Sequence, residues 1–218
     1  MKILLISSSP HKEKSSTYSL AKEALRGLEE EKISHETLHL ASLKVSFCKH
    51  CEDCHTNILH CSIEDDTRVI LHKMLEADGI IFASPNYINQ VTGSMKTLFD
   101  RSTHFIHCKR LLGKYVIGIA TAGSGYGETV LDYINYYANV CGAQYSGGVS
   151  AKTDFDKDKI HASYILAKKL AADIREKKPY PGQMKFINDN KDHFALLMKR
   201  RKDDYKGEYG YWVEKGWL

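Results

Sequence analysis

Four cysteines stand close together as Cys48-x2-Cys51-x2-Cys54-x6-Cys61. Thiolates favour soft metal centres, and such compact spacing lets one short loop wrap a centre and complete the ligation of a 4Fe-4S cluster. Zinc accepts the same four thiolates, and His50, His55 and His60 lie in the same stretch, so a tetrahedral zinc site also fits these residue types. A loop of reduced cysteines holding no metal is the third reading. Cys108 and Cys141 fall outside the motif, in or beside expected helices, and read as small buried hydrophobes.

Three other segments carry polar groups of a different kind. Ser7, Ser8, Ser9, His11, Ser15, Ser16 and Thr17 crowd hydroxyls, an imidazole and backbone N–H groups at the start of an expected helix, where the positive end of the dipole favours an anion. A phosphate fits there, and so does ordinary N-capping. The stretch Pro85-Asn86-Tyr87-Ile88-Asn89-Gln90-Val91-Thr92-Gly93 offers an aromatic face, apolar side chains and amides together, which a planar heterocycle requires; in isolation Pro-Asn-Tyr reads as a turn. Thr121-Ala122-Gly123-Ser124-Gly125-Tyr126-Gly127 spaces three glycines so that backbone can approach a ligand closely, with Tyr126 available to cover a ring edge.

Strands and helices must bring these segments together. The apolar run Lys2 to Ser7 predicts a strand, and Ala21, Ala24, Leu25 and Leu28 recur at helical spacing after it. A weaker strand is expected over Glu36 to Leu40, then a long Cys- and His-rich loop from Ser42 to Glu64, and loops of that length in compact domains are usually functional. Ile70, Leu71, Met74 and Leu75 predict a helix, Gly79 to Ala83 a strand buried on both faces, and Met95, Leu98, Phe99 and Ser102 a further helix. Strands over Tyr115 to Thr121 and Tyr145 to Ser150 bracket a helix over Glu128 to Cys141, and Asp156 to Lys177 closes the unit. Alternating strands and helices predict an α/β fold with a doubly wound, five-stranded parallel sheet in the flavodoxin-like order 2-1-3-4-5. Ligands of such sheets lie beyond the carboxyl ends of the strands, where the winding reverses. The loops after the first, third and fourth strands should therefore converge.

The combination of Ser8-Ser9-Pro10-His11-Lys12 with a Ser/Thr helix start, the stretch Ala77 to Tyr87, and Met95-Lys96 with Phe99-Asp100-Arg101 resembles the NAD(P)H-dependent FMN reductases over about residues 1 to 150. The resemblance implies FMN, with its phosphate at Ser9, His11, Ser16 and Thr17. Its isoalloxazine would lie against Pro85, Asn86, Tyr87 and Ile88, with Gly123, Ser124 and Gly125 on the other side. It also implies NAD(P)H as electron donor, with the chemistry carried by the flavin and no catalytic side chain. Two positions depart from the family pattern: His11 stands where the family has Arg, and Ser15-Ser16 where it has Gly-Asn. Phosphate affinity is then expected to be weaker and pH-dependent, because imidazole, unlike guanidinium, loses its charge in the physiological range. The cysteine motif resembles that of the iron-sulfur flavoproteins, a branch of the same flavin family in which it follows the second strand. That likeness implies a 4Fe-4S cluster on Cys48, Cys51, Cys54 and Cys61, close to the flavin and near a subunit interface.

With 218 residues the chain can bury one substantial core and leave an extension. The expected division is a flavin-binding domain over residues 1–178, with the Cys-rich loop 42–64 inserted, and an arm over residues 179–218. The arm carries Tyr205, Tyr209, Tyr211, Trp212 and Trp217; disordered tails are poor in aromatics, so it should pack, and contact with a second subunit of a homodimer or homotetramer is favoured over folding back. The net charge of +4 owes much to Lys199, Arg200, Arg201 and Lys202, which read as a solvated helix face rather than a nucleic-acid site. No export signal or membrane span is legible, so a cytoplasmic protein is expected. Its partners would be small-molecule electron donors or acceptors, with a ferredoxin-like protein as a further choice.

Overall fold

The computed structural model describes residues 1–218. Five parallel strands, β1 (Lys2–Ser7), β2 (Ser34–His39), β3 (Gly79–Pro85), β4 (Tyr115–Ala122) and β5 (Gln144–Lys152), form one sheet in the order β2-β1-β3-β4-β5. This is the expected order, and β1, β3 and β4 are buried almost throughout because helices cover both faces. Alternate residues divide the core. Leu4, Ile6, Ile80, Phe82 and Val116 face one side, with α3 (Thr67–Glu76), α4 (Gly93–Asp100) and α6 (Glu128–Val140). Ile3, Leu5, Ile81, Ile117 and Ile119 face the other, with α1 (Ser16–Glu30) and α7 (Lys157–Glu176). A bulge at Val116/Ile117 shifts the pairing of β5, and the Tyr145 side chain lies over Gly118 and Gly148, where any Cβ would collide with it.

Several boundaries shift by a residue or two from the sequence expectation, and two differences have a clear physical reason. Strand β2 begins at Ser34, two residues earlier, and is only half-buried along most of its length, as suits an edge strand with one neighbour. The helix expected through Ser102 is two helices, α4 and α5 (Thr103–His107), with Arg101 and Ser102 between them. Arg101 is drawn into a buried pair with Asp65, so a tertiary contact sets that boundary. Within the Cys-rich segment a single short helix forms, α2 (Asp53–Thr56).

The arm comprises α8 (Pro181–Arg200) and α9 (Lys206–Glu214). Pro181 opens α8 at its first turn, where its missing N–H costs nothing. The aromatic end folds back on the chain itself: Trp212 is fully buried with Cys108, Met198 and Tyr205, and its Nε1 donates to His107 O at 3.2 Å. Removing such a side chain costs about 3–5 kcal/mol. Buried Lys109 adds a second anchor, donating to Ile106 O at 2.9 Å, to Val140 O at 2.8 Å and to Asn190 of α8. Any contact with a second subunit is left to the arm's exposed residues, Leu196 and Val213 among them.

Candidate functional site

The loops after β1, β3 and β4 meet at the carboxyl edge of the sheet and are tied to one another. Ser8 N donates to Ala83 O at 2.9 Å, Asn86 N to Thr121 O at 2.8 Å, and Asn86 Nδ2 to Tyr126 O at 2.6 Å. The buried hydroxyls of Thr17 and Thr121 lie 2.6 Å apart. Ser15 caps α1 by accepting from Tyr18 N at 3.0 Å, which leaves the N–H groups of Ser16 and Thr17 at the helix start without a protein acceptor. Ser9 lies buried beside them, while His11 is exposed.

Around Pro85 to Ile88 the backbone is specialised. Ile88 and Asn89 both have positive φ, 53° and 55°, and Tyr87 pairs with Gln90 across a tight hairpin. The turn holds Ile88 fully exposed and Tyr87 half exposed. Across from them Gly123 and Ser124 are exposed, and Gly125 takes a φ of 87°. The residues expected to line an FMN site are thus brought to one place, with open space where Gly123 lacks a Cβ. They fit a phosphorylated heterocycle: free helical N–H groups await an anion, and the buried Ser7 Oγ and Asn86 Oδ1 have no partner.

The Cys-rich loop leaves β2 at the same edge. All four motif cysteines line a single cavity of about 70 Å³, together with Thr67, Arg101, His104 and His55. His50, Glu52 and Leu59 hold positive φ in this loop, at 54°, 63° and 65°, a cost of order 1 kcal/mol or more each that surrounding structure must offset. Arg101 provides some of that support. It spans Asp65 with Nη1–Oδ2 2.7 Å and Nη2–Oδ1 3.2 Å, donates Nη1 to Ser46 O at 2.7 Å, and reaches Cys61 Sγ with Nη2 at 3.3 Å. Burial opposes ionisation of Asp65, but Arg101 and the N–H groups of Ser46 and Thr67 override it and hold the carboxyl well below its usual range.

The donor chemistry of the cavity suits a metal centre. Burial, then Glu208 and the other three thiols, push the Cys54 thiol up to about 12, so its thiolate is favoured only against an added positive charge. Thr67 Oγ1, Arg101 Nε and both ring nitrogens of His104 are buried without partners, and all three residues line the cavity. Hydroxyl, guanidinium and imidazole can all donate, which matches an occupant rich in acceptors. A mononuclear zinc, with Zn–S about 2.3 Å, needs sulfurs about 3.8 Å apart. The one group of three ligand atoms close enough to hold a single ion is His55, His107 and Glu208, and it includes none of the four cysteines. Cys108 and Cys141 are buried away from the cavity lining, as the sequence suggested.

Behind this loop stands the arm. Glu208, fully buried, accepts from His55 Nδ1 at 2.7 Å through one oxygen and from His107 Nδ1 at 2.9 Å through the other. The three ligand atoms are close enough for a metal. However, the two rings stack with centroids 4.9 Å apart and planes 16° from parallel, so their in-plane lone pairs run side by side and do not converge. The arrangement is a hydrogen-bonded fork. Burial raises the Glu208 carboxyl, but the bonds from His107 and His55 outweigh it and hold the group ionised. Tyr205 Oη and Arg201 add bonds to Glu52 at 3.1 and 3.3 Å, so α9 clamps α2 beside Cys54. Sequence reasoning missed Thr67, Arg101, His104 and Glu208 as residues of this site. The His104-x2-His107 spacing, which puts both on one helix face, was the one local signal.

Comparison with known proteins gives the family and the fold. A family model described as NADPH-dependent FMN reductase matches residues 1–156. The chain belongs to that family. It is therefore an oxidoreductase of the FMN flavoprotein class. Among relatives, an iron-sulfur flavoprotein of Archaeoglobus fulgidus is 31% identical, over 89% of this chain and 90% of its own length. One from Clostridioides difficile is 29% identical over 99% of both. Among solved structures, a flavodoxin from the domain Archaea aligns with a TM-score of 0.56 at 14% identity, over 80% of this chain and 99% of that one. That likeness confirms the flavodoxin-like fold.

Proposed function

We propose that this FMN reductase relative is an iron-sulfur flavoprotein that passes electrons between FMN and a 4Fe-4S cluster held by Cys48, Cys51, Cys54 and Cys61. The observation that carries the reading is the cavity shared by all four cysteines and lined by buried donors without partners. The names of the two relatives support it.

FMN supplies hydride and single-electron chemistry when bound, and the cluster single-electron chemistry. The chain's residues bind and orient. The N–H groups of Ser16 and Thr17, with Ser9 and His11, would take the phosphate; the Thr17–Thr121 contact fixes that loop against β4. Pro85, Asn86, Tyr87 and Ile88 would pack one side of the ring system, and Gly123, Ser124 and Gly125 would let backbone approach the other. Asp65 and Arg101 hold the cysteine loop, while Glu208 and His55 fix α2 from behind. NAD(P)H is the proposed donor, with a small quinone-like molecule or a ferredoxin-like protein as acceptor. Exposed Phe47 beside the cysteine loop, and Ile88 and Tyr126 on the flavin loops, favour a homodimer or homotetramer that covers them.

Anaerobic purification tests the reading. Stoichiometric FMN, about four iron and four sulfide per chain, and a broad visible shoulder bleached by dithionite are expected. FMN without iron would leave a plain reductase, and zinc in place of iron would contradict the cluster assignment.

A further inference from the structure

His104 is the least satisfied side chain of the cavity. It is 1% exposed, yet neither Nδ1 nor Nε2 has a partner. Nearly every buried imidazole in a folded protein finds at least one. The ring is held edge-to-face against Phe105 at 5.0 Å, and the start of its helix is tied down by the Thr103 hydroxyl, which donates to Asp100 O at 2.9 Å. Burial keeps the ring neutral, lowering its pKa to about 3, so it offers one N–H and one lone pair. The same side chain lines the cavity shared by the four motif cysteines. His55 also lines that cavity, but its Nδ1 is engaged by Glu208, and His50 and His60 are exposed; His104 is the buried histidine of the lining with both nitrogens free.

Given an iron-sulfur group on those cysteines, as proposed above, we propose that His104 donates its N–H to a sulfur of that group and thereby favours its reduced state. A hydrogen bond to sulfur offsets negative charge, and reduction adds negative charge, so the bond is stronger in the reduced form; hydrogen bonds to the sulfurs are among the factors that set such potentials. The proposal also explains why a polar ring is buried where the polypeptide gives it no acceptor.

The test compares anaerobically purified wild type, His104→Leu and His104→Gln. Iron, sulfide and FMN are quantified first, and the cluster is then titrated potentiometrically by EPR. His104→Leu should keep wild-type iron and sulfide but move the redox equilibrium about tenfold towards the oxidised form, about 59 mV for one electron. His104→Gln, whose amide also donates, should recover at least half of that shift. Thermal midpoints supply a second readout: iron-free His104→Leu should melt higher than iron-free wild type, because the orphaned donor is gone, while a merely structural histidine would leave the variant less stable in both forms. An intact cluster with unchanged potential in His104→Leu overturns the proposal alone. Loss of iron from both variants makes His104 a ligand or a prop and overturns its donor role. Wild type devoid of iron and sulfide overturns the cluster assignment as well.

Discussion

Asp65→Asn removes one charge from a fully buried ion pair while keeping its shape. The Asp65 and Arg101 side chains are 0% and 1% exposed, and Asp65 also accepts from Ser46 N at 2.8 Å and Thr67 N at 3.1 Å. The substitution strands the Arg101 cation in a low-dielectric interior and sets an amide donor against other donors. Breaking a buried pair by removing one partner costs about 3–5 kcal/mol. For a chain of this size urea lowers stability by about 3 kcal/mol per molar, so the unfolding midpoint, followed by tryptophan fluorescence, should fall by about 1–1.7 M. Replacing both partners, Asp65→Asn with Arg101→Met, should recover at least half of that loss, because no buried charge is left unpaired. The pH dependence has a fixed sign. Asp65 is held below its usual range in the fold, so its stabilisation is complete above the unfolded carboxyl value, about 3.9, and is lost progressively as pH falls below it. The gap between wild type and Asp65→Asn should therefore narrow in acid. A midpoint drop under about 0.3 M, or a gap that holds constant to pH 3, would refute the reasoning.

Thr17→Val leaves the Thr121 hydroxyl buried without its partner at 2.6 Å and should cost about 1–3 kcal/mol together with a several-fold weaker FMN affinity by fluorescence quenching; the Thr17→Val, Thr121→Val double variant should regain most of the stability. Gly207→Ala would place a Cβ 2.5 Å from Thr56 O, prise α9 from α2 and lower the iron content, whereas Gly210→Ala in the same helix meets open space and should stabilise by up to about 1 kcal/mol. Cys108→Ala and Cys141→Ala should retain full iron and sulfide by elemental analysis, while Cys54→Ala should lose them.

Where both faces of a strand are covered, the sequence was transparent. Ile3 to Ile6, Gly79 to Ala83 and Tyr115 to Thr121 are apolar because helices lie on either side, and once those strands are placed the winding rule brings the three ligand loops to one edge. Ser34 and His35 were missed because an edge strand pairs on one side only and tolerates polar residues. The break between α4 and α5 was illegible for a different reason: Arg101 leaves the helix to meet Asp65, thirty-six residues away, and no local pattern encodes that. The aromatic arm announced that it packs, with a second subunit as the favoured surface; Trp212 lies buried within its own chain. The arm's anchor is Glu208, whose partners His55 and His107 come from two other elements. His104 had no legible role, since one histidine beside Phe105 looks the same in sequence whether its ring nitrogens are satisfied or orphaned.

Crystals grown anaerobically and measured across the iron absorption edge would test the central claim most directly. A compact group of iron peaks in the cavity bounded by Cys48, Cys51, Cys54 and Cys61, with a phosphorylated flavin on the Ser9, Ser16 and Thr17 loop, is the expected map. An anomalous signal from a single zinc atom, or no metal with the thiols paired as disulfides, would contradict it.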